Sequence, residues 1–92
     1  MKGKASLLYI KEQGCRYCEF AEAEMKRAGL PEALGKIRFH ECSIDQEPGL
    51  ATKLGLVGVP AFLKVDVTGR KKILVGFESI ERFIEFLKSE TE

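Results

Sequence analysis

Apolar positions along the chain fall into blocks whose period switches between that of a strand and that of a helix. Ser6 to Lys11 holds four apolar residues in a row, Leu7-Leu8-Tyr9-Ile10, without alternation, which predicts a buried strand. From Tyr17 to about Ala28, Phe20, Ala21, Met25 and Ala28 recur at helical spacing, with Glu19, Glu22, Glu24 and Lys26 filling the polar side. Gly29 ends that helix, Pro31 blocks its continuation, and Pro31 to Leu34 suggests one more short turn of helix. Ile37 to Ile44 reads as a second strand, bounded by Gly35-Lys36 and by Asp45-Gln46-Glu47-Pro48-Gly49. A strand, a helix and a strand in this order predict a right-handed crossover and two parallel strands.

Leu50, Ala51 and Leu54 then form a short amphipathic pattern closed by Gly55, and Gly58-Val59-Pro60 is a turn ahead of a third apolar strand, Ala61 to Val65. Val67-Thr68-Gly69-Arg70 links it to a fourth, Lys72 to Val75, as in a β-hairpin. In the last helix Ile80, Phe83, Ile84 and Leu87 share one face, Phe83 and Ile84 are assigned to the core, and Ser79 is placed as the N-cap. The tail from Ser89 to Glu92 is expected to fray. No segment repeats.

At 92 residues the expectation is a single domain over 1–92, with its core at about 6–88. A net charge of +1 argues against an electrostatically driven nucleic-acid binder. The apolar runs are strand-sized, too short to span a membrane, and the stretch after Met1-Lys2-Gly3-Lys4 is too short for a signal peptide. A cytoplasmic monomer is therefore the expectation. The count of three cysteines fits a reducing compartment with one working pair and one spare thiol better than a disulfide framework.

That pair is Cys15 and Cys18, which stand between the first strand and the first helix in Gly14-Cys15-Arg16-Tyr17-Cys18. Cysteines three apart at a helix start share one side of its first turn, within reach of a disulfide that opens and closes with little backbone movement. The first lies among the unpaired N–H groups at the positive end of the helix dipole, which favours thiolate, and Arg16 adds a fixed positive charge. A strand, a C-x-x-C and a helix in a small α/β chain point to a redox dithiol. The competing reading is a metal site completed by His40 and Cys42, two residues on one side of a strand. Taken alone, Cys42 reads as a core thiol and His40 as a strand-face histidine. Arg16 also stands where it can contact a substrate, and Tyr17 is assigned to the substrate side rather than the core.

The order β-α-β-α-β-β-α, with C-x-x-C after the first strand and a proline before the third, resembles the thioredoxin and glutaredoxin families. Ser43-Ile44-Asp45-Gln46-Glu47-Pro48-Gly49 is similar to the thioredoxin segment after its central strand, and Leu56-Val57-Gly58-Val59-Pro60-Ala61-Phe62-Leu63 to the family's cis-proline loop and following strand. Gly76 followed by Glu85-Phe86-Leu87 is similar to the end of the pattern. The resemblance implies an α/β thioredoxin fold with a four-stranded mixed sheet flanked by helices. It implies a dithiol oxidoreductase without a cofactor, acting on a disulfide-containing protein or small molecule. Glutathione or a flavoprotein reductase would be the electron donor. It also implies a cis Val59–Pro60 bond, with the Val59 backbone free to pair with an extended substrate.

The chain departs from the family in three places. The dipeptide Arg16-Tyr17 matches neither the Pro-Tyr of glutaredoxins nor the Gly-Pro of thioredoxins. Gly76 stands alone where glutathione-binding members carry paired glycines. The aspartate that thioredoxins bury six residues before the first cysteine is here Tyr9, and its companion lysine maps onto Glu41. Glu41 is therefore the candidate proton acceptor for Cys18, against the plainer reading of a solvated strand residue. Two further readings stay open: a module binding a metal or an iron–sulfur cluster, and a thioredoxin-like docking domain without turnover.

Overall fold

A computed structural model describes residues 5–30, 37–47 and 49–88. Its elements are β1 (Ala5–Lys11), α1 (Arg16–Arg27), β2 (Ile37–Ser43), α2 (Leu50–Leu54), β3 (Ala61–Val65), β4 (Lys71–Val75) and α3 (Ile80–Lys88). The strands form one mixed sheet in the order β2-β1-β3-β4. β1 runs parallel to β2, while β3 is antiparallel to both β1 and β4. This is the thioredoxin fold. The expected turn at Pro31 to Leu34 and the tail from Ser89 lie outside the described residues. Among the described residues, no helix is long and apolar enough to cross a membrane.

Register decides what underlies the helices. Tyr9 stands opposite Glu41 on one side and Phe62 on the other, and Phe62 stands opposite Leu74. Leu7, Tyr9 and Phe62, with Leu74, pack against Cys18, Ala21 and Met25 of α1 and Phe83, Phe86 and Leu87 of α3. Tyr9, Phe62 and Phe83 are the bulkiest fully buried side chains, and the ring centroids of Phe62 lie 5.2 Å from Tyr9 and 4.7 Å from Phe83. Such ring pairs contribute about 0.5–1.5 kcal/mol each beyond the area they bury.

Helix ends follow local chemistry. Gly29, at φ 79°, takes the left-handed conformation that closes α1, letting the Leu30 N–H donate to the Met25 carbonyl. Ser79 caps α3, its Oγ accepting from the Arg82 N–H at 3.2 Å. At the other end of α3, the buried Lys64 donates from Nζ to the Leu87 carbonyl at 2.7 Å. The ammonium thus satisfies a helix carbonyl left without an intrahelical donor. Asp66 organises the β3–β4 turn, its Oδ1 accepting from the backbone N–H groups of Thr68 and Arg70.

Several side chains differ from the expectation. Phe20 is 48% exposed and meets Phe77 edge-on, because the buried stripe of α1 runs through Cys18, Ala21 and Met25 instead. Ala28, at the C-cap, is also exposed. In α3 the buried stripe is Phe83, Phe86 and Leu87, and Ile84 is only half-buried. Cys42 is half-buried rather than a fully enclosed core thiol. Phe62→Ala should destabilise the fold by about 3–5 kcal/mol, read from the denaturation midpoint; a change below 1 kcal/mol contradicts a core centred on this ring.

Candidate active site

Gly14 sets up the site. It sits at φ 79°, a left-handed conformation that glycine adopts without strain, and it turns the chain from β1 into α1. Cys15 follows as the N-cap, in extended backbone conformation, and its carbonyl accepts the Glu19 N–H at 3.1 Å. Its sulfur takes the place of the usual capping oxygen: Cys15 Sγ accepts the Cys18 N–H at 3.0 Å. One of the unpaired N–H groups of the first turn is therefore spent on this sulfur.

Cys15 and Cys18 are joined in a disulfide with α-carbons 5.2 Å apart. Their environments differ. Cys15 is half-exposed, while Cys18 is 2% exposed and belongs to the core cluster. Arg16 and Tyr17 project outward between them, and Tyr17 is 73% exposed.

The approach loop is held from below by Asp45. Its carboxylate accepts the Gln13 N–H and the Ser43 hydroxyl, at 2.7 and 2.8 Å. The Gln13 N–H first, and then the Ser43 hydroxyl, hold its carboxyl below the usual carboxylate range. Ala61 stands opposite Ile10, so the Val57-Gly58-Val59-Pro60 loop arrives at the same end of the sheet as the cysteines. The Val59–Pro60 peptide bond is cis, Pro60 is buried, and Val57 is 91% exposed. The Pro60 carbonyl accepts the Gly76 N–H at 2.7 Å.

Behind the disulfide lies a crevice of about 340 Å³ lined by Lys11, Cys15, Cys18, Glu19, Glu22 and Ser43, among others. The Tyr9 hydroxyl lies 2.7 Å from Glu22 Oε2 and 3.2 Å from the Cys18 carbonyl oxygen, two acceptors sharing one phenolic hydrogen. Burial, with the hydrogen bond and negative charge of Glu22, raises the Tyr9 phenol far above its ordinary value, so it stays protonated. Lys11 Nζ lies 3.0 Å from Glu41 Oε1 and 3.7 Å from Glu22 Oε2. The Glu41 hydrogen bond chiefly raises the Lys11 ammonium, against a smaller opposing desolvation.

Glu41 therefore stands opposite Tyr9, half-exposed and paired with Lys11, and it is not among the residues lining the crevice with the cysteines. Glu22, which the sequence pattern assigned to the polar side of α1, does line it. The four residues of the alternative metal site are not brought together. Leu8 and Ile10, opposite His40 and Cys42, alternate with Tyr9, which faces α1, so that pair lies on the other face of the sheet. Among the described residues, no group of three or more His, Cys, Asp or Glu is placed to hold a metal ion.

No protein-family model matches the chain, and no curated protein matches it. Solved structures do. Thioredoxin from Fasciola hepatica is similar over 97% of this chain and 84% of its own, at 18% identity and a TM-score of 0.76. Oxidised thioredoxin O2 from Arabidopsis thaliana is similar over 98% and 77%, at 18% identity and a TM-score of 0.77. A malaria parasite thioredoxin-2, described as a component of that parasite's protein secretion machinery, covers 96% and 84%, at 23% identity and a TM-score of 0.78. At such identities the likeness is one of fold.

Asp45→Asn tests the anchor under the approach loop. A carboxylate with a lowered pKa contributes stability above the ordinary carboxylate pKa of about 3.9 and loses it as pH falls through its own lower value. The variant should melt below the parent at pH 7, and the gap should close towards pH 2. Equal melting temperatures at pH 7 would show that this carboxylate anchors nothing.

Proposed function

We propose that this chain is a small thiol–disulfide oxidoreductase. The observation that carries the reading is the Cys15 sulfur at the mouth of α1, receiving a backbone N–H while bonded to a buried partner. Once the disulfide is reduced, the same N–H and the helix dipole favour thiolate at Cys15, and the Arg16 charge adds to them. The half-exposed Cys15 attacks a substrate disulfide and forms a mixed disulfide. The enclosed Cys18 then attacks Cys15, releases the reduced substrate and restores the closed pair. Glutathione or a flavoprotein reductase reopens it for the next cycle.

Arg16 and Tyr17 flank the sulfurs on the helix side and contact the substrate. The Val59–Pro60 segment lines the opposite side, where the Val59 backbone pairs with an extended chain. The exposed Tyr17 and Val57 suit an apolar neighbour of the substrate disulfide.

Cys15→Ser should reduce insulin-disulfide turnover to the uncatalysed background. Cys18→Ser should retain one attack and accumulate a mixed disulfide visible by mass. Turnover by Cys15→Ser, or no covalent species with Cys18→Ser, contradicts these roles. A parent protein that binds substrate without reducing it would instead be a docking domain.

A further inference from the structure

Cys18 must lose a proton when it resolves the mixed disulfide, yet it is almost fully enclosed. An enclosed thiol cannot hand that proton directly to bulk water, so the acceptor is to be sought among groups reaching the same crevice. Lys11 is cationic there, and the Tyr9 phenol beside Glu22 is already protonated. The carboxylates of Glu12, Glu19 and Glu22 remain.

The three differ in placement: Glu12 is exposed in the loop between β1 and Gly14, off the helix that carries the thiol. Glu22 follows Cys18 by four residues, so the side chains lie on the same side of α1, one above the other. Glu19 bears that relation to Cys15 instead, and it is exposed. Glu22 is also held from two sides, by the Tyr9 hydroxyl at 2.7 Å and by Lys11 Nζ at 3.7 Å. The same hydroxyl reaches the Cys18 carbonyl, tying the carboxylate to the turn that carries the thiol.

We propose that Glu22 is the base that accepts the Cys18 proton during resolution, positioned by Tyr9 and Lys11. This inference rests on the oxidoreductase reading above. In the step, the Cys18 Sγ–H proton passes to the Glu22 carboxylate as the sulfur attacks Cys15 Sγ. The Cys15–Cys18 bond forms, the bond between Cys15 and the substrate sulfur breaks, and that sulfur leaves with the electron pair as thiolate. Glu22 then returns the proton to the leaving thiolate or to water. The dithiol loses two electrons and the substrate disulfide gains them. The charged and titrating groups around Glu22 are Tyr9 and Lys11 from β1, Glu12 from the loop after it, Glu41 from β2, and Glu19 and Lys26 from α1. Glu41 serves in this arrangement to hold Lys11, at 3.0 Å.

The test uses the reduced full chain carrying Cys42→Ser, mixed with excess 5,5′-dithiobis(2-nitrobenzoate) in a stopped-flow instrument. Attack by Cys15 releases one thionitrobenzoate in a phase proportional to reagent concentration. Resolution by Cys18 releases a second in a phase independent of it. Glu22→Gln keeps the shape of the side chain and an acceptor for Tyr9, and at a half-exposed position it should fold. It should slow the second phase at pH 7 by about 10²-fold, the low end for a general base, and leave the first within about twofold. The deficit should narrow as pH rises, because hydroxide then takes the proton in place of the carboxylate. Glu12→Gln and Glu19→Gln should leave the second phase within about threefold of the parent, and Glu41→Gln, which only loosens Lys11, should slow it less than Glu22→Gln does. A carboxylate acting only as a nearby charge would give the opposite sign, since its removal would ease Cys18 ionisation and speed the second phase. An unchanged or faster second phase in Glu22→Gln, or a larger deficit in Glu41→Gln, overturns the proposal while leaving the oxidoreductase reading intact. A parent protein with no second phase overturns both.

Discussion

One hydrogen bond organises the active end of this protein. The Cys18 N–H donates to the Cys15 sulfur at the first turn of α1, where an ordinary helix would place an oxygen cap. The sulfur is therefore the capping group and, in the proposed function, also the reactive atom, and the two roles support each other. A helix start needs an acceptor for its free N–H groups, and a thiolate is a better acceptor than a thiol. Much of the remaining architecture keeps this contact in place. β1 delivers the chain to Gly14, Gly14 turns it, and Asp45 fixes the loop from the end of β2.

The two sulfurs sit on either side of a boundary between solvent and core. Cys18, Ala21 and Met25 form the stripe by which α1 packs on the sheet, so the second cysteine is buried by the same contacts that hold the helix. The first lies one turn earlier, at the edge of the protein. The asymmetry in exposure follows from position along the helix axis, since the two cysteines share one side of its first turn. The charged groups behind the pair occupy the rim of that core. The ion pair between Lys11 and Glu41 is partly exposed and contributes about 0.2–1 kcal/mol at most, so its significance lies in placement rather than stability.

The elements, their order and the parallel pairing of β1 and β2 were legible from apolar periodicity, because each block was bounded by glycine or proline. The dithiol at the helix start was legible for the same reason. The resemblance carried the reading further: it mapped Glu41 onto the strand neighbouring Tyr9, and the two residues stand opposite each other. What periodicity could not reach was the choice between neighbouring stripes. Ile84 and Phe86 both flank Phe83 on α3, and only the angle at which the helix lies on the sheet selects Phe86. Phe20 shows the same ambiguity on α1. Lys64 was invisible as a buried cation, because nothing local announces that a helix end will come to rest over it. Glu22 reads as one more solvated glutamate until Tyr9 is seen beneath it. Its spacing from Cys18 was the available signal.

The central claim concerns the state of the Cys15 sulfur once the disulfide is opened. Titrating the ultraviolet absorbance of thiolate in the reduced protein, with Cys15→Ser as the reference, measures it directly. The account predicts a Cys15 midpoint well below the value of about 8.5 for a free cysteine, with thiolate already present at neutral pH. A midpoint at or above that value would mean that the helix mouth does not stabilise the charged sulfur, and the account would fail.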